Sequence, residues 1–243
     1  ATPAQSAPTR PFDVRDLVAL DRVADPRLSP DGTQLVFQVR EADVAANKAS
    51  TGLWLRSMDR QGKARRITAA GVNSVAPRWA PDGRSVYFLS PRSGSMQVWR
   101  LDLAGGEARQ VTDYALDVGS FVLAPDGKRI ALSFEVFAEC AVDLACTKKR
   151  LDDKAAGKAS GQLYEQLFIR HWDTWADGRR NQLFNAGFSA DGKLVGEPKK
   201  ITNGIDGDIP SKPFGDASEY AFSPDGKTIV FSVRIAGKTA AWS

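Results

Sequence analysis

Histidine occurs once in this sequence of 243 residues, at position 171, and cysteine and methionine occur twice each. One histidine with no serine partner that pattern identifies argues against a nucleophile–base–acid triad assembled from this chain alone. The Gly-x-Ser-x-Gly pentapeptide that presents the nucleophile in α/β-hydrolases is missing as well. Two cysteines and His171 fall one short of the four ligands of a structural zinc site. No phosphate-cradling glycine loop is present, because the Gly pair of "LDLAGGEARQ" stands in a hairpin turn and not before a helix. The acidic stretch "NGIDGDIP", residues 203–210, lacks the twelfth-position ligand of a calcium loop. No metal and no cofactor is therefore expected. No run of 18 apolar residues exists, which excludes a transmembrane helix. The 33 basic and 29 acidic residues are interleaved, with no basic stripe carrying aromatics, so a nucleic-acid partner is not expected despite a net charge of +4.

What the chain does have is a repeat. "RLSPDGTQLVFQV" from Arg27, "RWAPDGRSVYFLS" from Arg78, "VLAPDGKRIALSF" from Val122 and "AFSPDGKTIVFSV" from Ala221 share one form. Proline presets φ for the second turn position, Ser favours the first and Gly accepts the strained exit. Flanked by β-formers, the tetrapeptide predicts a hairpin, and the nearly continuous apolar run after it predicts a strand covered on both faces. A second hairpin ending in Ile/Val-Thr closes each of the first three units, at Thr68, Thr112 and Thr202. The "SADG" at Ser189 belongs to such a second half and does not start a unit.

Four strands at a 44-residue step from Thr68 to Thr112 predict the blades of a β-propeller, an all-β fold. Residues 1–22 read as a tail and lead-in segment. The blades run over about 23–69, 70–113, 114–203 and 214–243. The last holds only its first hairpin, which gives about three and a half blades and an incomplete ring. The Pro-rich start "ATPAQSAPTRP" without Met reads as the mature end left by a signal peptide, although an engineered start would look the same.

Unit three needs 76 residues from Asp126 to Thr202, where unit two needs 30 from Asp82 to Thr112. The surplus is an insertion at about 135–180. Insertions in repeats usually sit on one face and often serve binding. Cys140 and Cys146 lie inside it, and a disulfide between them would stabilise the loop by about 2 kcal/mol. Further on, "QLYEQLFIRHWDTW" fits a helix or a strand equally well. His171, Trp172 and Trp175 read first as packing residues, with the lining of a chamber as their functional alternative.

The turn motif with its closures, the lead-in "FDVRDLVALDRVADPRLSPDG", the pair "ECAVDLACTKKR" and the segment "RHWDTWADGRRNQLF" together resemble the propeller of prolyl-oligopeptidase-family serine peptidases. The dipeptidyl-peptidase V and acylaminoacyl-peptidase branch is the most similar. The resemblance implies a C-terminal α/β-hydrolase domain of the same polypeptide that carries the triad. It also implies release of dipeptides from free peptide amino termini, in the periplasm or outside the cell, with peptides as substrates and a homodimer allowed. No catalytic residue is then expected in these 243 residues. An enzyme that counts two residues from an amino terminus needs an acid for the ammonium, and Glu135, Asp173 and Asp208 are the candidates. The competing expectation is a non-enzymatic TolB-like periplasmic propeller that binds protein partners.

Overall fold

A computed structural model describes residues 10–158, 161, 163–164, 170–171, 174–189 and 192–233. The chain opens with a short helix α1 (Val14–Ala19), whose first turn is closed by a capping box between Asp13 and Asp16. Sheet one follows as β1 (Arg22–Leu28), β2 (Gln34–Asp43), β3 (Lys48–Ser57) and β4 (Arg65–Arg66). Sheet two is β5 (Val75–Trp79), β6 (Ser85–Ser90), β7 (Gln97–Asp102) and β8 (Arg109–Gln110). Sheet three begins with β9 (Ser120–Leu123) and β10 (Arg129–Phe137). The insertion then holds α2 (Leu144–Ala156) and the small hairpin β11 (Arg170–His171) and β12 (Thr174–Trp175). Sheet three resumes with β13 (Arg179–Phe188) and β14 (Leu194–Lys200), and β15 (Tyr220–Phe222) pairs with β16 (Ile229–Phe231). The first three sheets are antiparallel meanders of four strands each.

The Pro-Asp-Gly turns are built alike. The N–H of Gly32, Gly83, Gly127 and Gly226 donates to the carbonyl of Ser29, Ala80, Ala124 and Ser223 at 2.8–2.9 Å. Each of these glycines has φ between +67° and +71°, a region that a side chain disfavours. The turn aspartates add a bond that the tetrapeptide hides. Asp31, Asp82, Asp126 and Asp225 each accept the N–H two residues on, at 2.9–3.0 Å. Where the turn opens with Ser, the hydroxyl bonds the Asp carboxylate at 2.5 Å in the first turn and 2.6 Å in the fourth. The Ser29 hydroxyl, then the Thr33 N–H, hold the Asp31 carboxyl below the usual carboxylate range.

The closing threonines complete the outer edge. Thr68, Thr112 and Thr202 accept on Oγ1 the N–H of Leu53, Val98 and Leu183 at 2.9, 2.8 and 3.2 Å, extending the ladder by one rung with a side chain. In sheets two and three that hydroxyl also donates to a buried glutamine, Gln97 at 2.7 Å and Gln182 at 2.8 Å. Gln97 and Gln182 then bond the chain that leads to the next sheet, at Leu116 O (3.1 Å) and Gly207 O (2.8 Å). Sheet one has Gly52 in this place. A Cβ there would lie 2.6–2.8 Å from the Arg66 guanidinium, which fills the space and bonds Thr68 O at 3.0 Å.

The sheets stack face to face through their first strands, β1 on β5, β5 on β9 and β9 on β15. Val36, Leu53 and Leu55 of sheet one pack on Trp79, Val86, Phe88 and Trp99 of sheet two. Tyr87, Leu89 and Val98 on the other side of sheet two pack on Phe121, Ile130, Leu132 and Phe134 of sheet three. Ala131 and Leu183 meet Tyr220, Phe222, Ile229 and Phe231. Strand β6 is buried along its whole length, as its unbroken apolar character predicts. The sheet-one counterparts of Trp79, Val86, Phe88 and Trp99 are Leu28, Leu35, Phe37 and Trp54, and the first of these is 57% exposed. This face is part-exposed, and among the described residues no further sheet stacks on it, so they form an open stack.

Candidate functional site

An antiparallel meander of four strands turns alternately at its two ends. All four Pro-Asp-Gly turns therefore lie at one end of the stack. The opposite end collects loop 91–96, the insertion that leaves β10 and the connectors 111–119 and 201–219. Loops carry function on a rigid scaffold, and this loop end holds a dense cluster of charge.

Strand β10 delivers Glu135 to that end, paired across the ladder with Asn181 of β13. Connector 201–219 folds back over the same strands. The Ile209 side chain is fully buried, its N–H donates to Asn181 O at 2.9 Å, and Asn181 Nδ2 donates to Pro210 O at 2.9 Å. This fixes Asp208 and Lys212 above β13. Lys212 Nζ meets one oxygen of Glu135, the carbonyl of Arg179 at 3.0 Å and Asp208 Oδ1 at 3.9 Å. The other Glu135 oxygen takes Arg179 Nη1 at 2.9 Å. Arg179 is held in turn by Asp177 at 2.7 Å, and Arg180 reaches Asp206 at 3.2 Å and Asp208 at 3.4 Å. Four acids thus face three cations.

Burial pushes the Asp208 carboxyl up, against the Asn181 N–H, Lys212 and Arg180. Burial also pushes Asp177 up, but the N–H and guanidinium of Arg179, together with Lys212, outweigh it and hold that carboxyl below the usual range. Among the described residues no set of three His, Cys, Asp or Glu is placed to hold a metal ion. A shallow cleft of about 230 Å³ lined by Arg129, Asn185, Ile201, Lys227, Ile229 and Phe231 shares no residue with the cluster.

The structure brings together Glu135 and Asp208, and adds Lys212, Arg179, Arg180, Asp177 and Asp206. Asp173 and Trp172 lie outside the described residues. His171 is described as backbone on β11, so the ambiguous segment is strand at that point. Trp175 is half exposed, stacked on Tyr164 at 5.9 Å with the Arg170 guanidinium 5.2 Å from its ring. Cys140 and Cys146 are disulfide-bonded, with their Cα atoms 5.5 Å apart. The bridge ties the last residue of a 3₁₀ turn to the first turn of α2, which docks on the sheet by Leu144 and the fully buried Thr147. Arg150 of α2 lies 4.3 Å from the Phe137 ring centroid.

Comparison with known proteins agrees with this architecture. Over 218 residues the chain is 31% identical to dipeptidyl-peptidase 5 of Porphyromonas gingivalis, covering 89% of this chain and 30% of that protein. It is 25% identical over 230 residues to a probable dipeptidyl-peptidase 5 of Arthroderma benhamiae, with 90% and 31% covered. The chain spans less than a third of the length of these relatives. Acylaminoacyl peptidase of Pyrococcus horikoshii superposes with a TM-score of 0.53 at 14% identity, over 80% of this chain and 27% of the other, which is a likeness of fold. The TolB beta propeller domain matches residues 19–151, more than half of the chain. Repeated four-stranded blades, face-to-face stacking and that match lead to one assignment: the chain belongs to the TolB beta propeller domain family.

Proposed function

We propose that this chain is the propeller portion of an exported serine exopeptidase that removes dipeptides from free peptide amino termini. A C-terminal α/β-hydrolase domain of the same polypeptide would supply nucleophile, base and acid, with its oxyanion hole stabilising the tetrahedral intermediate. The propeller would exclude folded proteins and present the substrate amino terminus in register. The loop-end cluster carries the reading. Glu135 and Asp208 stand around one ammonium position, and the relatives that cover nine-tenths of the chain are named dipeptidyl-peptidases. A charge-assisted contact at a fixed distance from the scissile bond is what counting two residues requires. The disulfide supports an oxidising compartment, periplasmic or secreted.

The test uses the full-length polypeptide. A fluorophosphonate should label one serine outside these residues. Glu135→Gln should raise KM for free-amine dipeptidyl substrates about tenfold or more, the worth of one charge-assisted contact, and leave N-blocked substrates nearly unchanged. Asp173→Asn belongs in the same series. Equal kinetics on both substrate classes would remove the cluster from substrate binding. The family match itself supports a second reading, a propeller that binds partner proteins and needs no triad. A polypeptide without a labelled serine would favour it.

A further inference from the structure

We infer that Lys212 is a resident ammonium, occupying the position the substrate amino terminus takes and leaving it when a free-amine peptide binds. The inference rests on the amino-terminus reading of the cluster. An ammonium offers three donors and no acceptor. The surroundings of Lys212 Nζ match that need: a Glu135 oxygen, the Arg179 carbonyl and, farther off, an Asp208 oxygen. A peptide α-ammonium makes the same demands.

Of the three cations in the cluster, Lys212 is the one whose departure leaves the others in place. Arg179 keeps Asp177 and the second Glu135 oxygen, and Arg180 keeps Asp206 and Asp208. The side chains of Lys212 and Glu135 are both 32% exposed, so the lysine has a short way to water on a flexible stem. With Lys212 withdrawn, four acids face two cations, and an incoming ammonium restores the charge balance. The exchange is charge-neutral at the site, and no bond forms or breaks. A tethered group of this kind competes at an effective concentration on the order of millimolar. Lys212 thereby weakens the binding of peptides that carry a free amine, whereas a peptide without one leaves it in place.

The experiment measures binding of the dipeptide alanyl-alanine and its N-acetyl form to the full-length protein by calorimetry. Lys212→Met removes the charge and keeps the stem. Lys212→Gln keeps a donor for the Arg179 carbonyl. Both should bind the free-amine dipeptide about three- to tenfold more tightly than wild type, the range expected once a net charge-assisted contact of a part-exposed competitor is gone. The acetylated form should not change, and Glu135→Gln added to either variant should cancel the gain. Unchanged or weaker binding in both variants, with wild type still preferring the free amine, would overturn the displacement and leave the amino-terminus reading standing. Absence of any preference in wild type and both variants would overturn both. Failure of both variants to fold, seen by thermal unfolding, would show that Lys212 is a fixed structural ion and overturn the displacement.

Discussion

Gln97→Leu asks whether the buried glutamines tie one blade to the next. The Gln97 side chain is fully buried, and its amide donates to Tyr114 O and Leu116 O, both at 3.1 Å, and to Ser95 Oγ at 3.0 Å. Its carbonyl oxygen accepts Thr112 Oγ1 at 2.7 Å and the Tyr114 N–H at 3.2 Å. Leucine fills a similar volume and satisfies none of these. The Leu116 carbonyl and the Tyr114 N–H lose these bonds, at about 1–3 kcal/mol for each orphaned buried group. The added apolar burial returns about 1 kcal/mol. The net is a loss of about 3 kcal/mol, large against a typical total of about 5–15 kcal/mol. At about 2–4 °C per kcal/mol for a chain of this size, Tm should fall by roughly 6–12 °C. Circular dichroism reads the midpoint, and hydrogen exchange at the Tyr114 amide reads the local cause. Gln182→Leu should cost less, because among the described residues the Gln182 side chain bonds Gly207 O and Thr202 Oγ1. A Tm within about 2 °C of wild type, with the Tyr114 amide still protected, would refute the reasoning, since a lost tie must show in both.

Three further outcomes follow from the geometry. Gly52→Ala should push the Arg66 guanidinium off Glu41 and Thr68 O at a cost of about 1–2 kcal/mol, and Glu41→Gln added to it should cost little more, as a double-mutant cycle in denaturant would show. Cys140→Ser with Cys146→Ser should cost about 2 kcal/mol and expose α2 to limited proteolysis before the sheets. Asp177 and Asp208 should pull in opposite directions on acidification. Asp177 titrates low when folded, so its contribution is present above the unfolded carboxylate value and lost as pH falls through the folded one. Asp208 titrates high, so its folded state is favoured at low pH and loses that advantage as pH rises from the unfolded value through the folded one. Urea midpoints between about pH 3 and 6 should therefore depend less on acid in Asp177→Asn and more in Asp208→Asn, and the same slope in both variants would contradict the assignment.

The blades were legible because their signals are local. A Pro-Asp-Gly turn is decided within four residues, and the closing threonine lies one ladder rung from its partner. The glutamine tie was visible in principle, as "QVW" at 97–99 and "QLF" at 182–184 in third strands that end in a Thr-closed unit. Gly52 in "GLW" breaks the pattern in sheet one, and that exception hid it. The charge cluster was half legible. Glu135 stands out at the start of the insertion and Asp208 in the acidic stretch 203–210, but Lys212 reaches Glu135 across 77 positions through a connector whose path depends on Ile209 finding the core. Nothing local marks one lysine among the 33 basic residues for that role. Helix α2 carries little local signal for a related reason. Its sequence "LACTKKRLDDKAA" carries one strongly charged face and little apolar content, and it is held by a disulfide, Leu144 and Thr147.

The stacking gives the molecule a direction. At the first seam Trp79, Val86, Phe88 and Trp99 of sheet two meet Val36, Leu53 and Leu55 of sheet one, and at each later seam the corresponding face again meets the opposite face of the preceding sheet. Such head-to-tail contacts are heterologous: they propagate until a rotation closes them. A blade packed on Leu28, Leu35, Phe37 and Trp54 in the same sense would present to them the face that carries Val36, Leu53 and Leu55 in sheet one. The sense of stacking thus runs with the order of the blades along the chain.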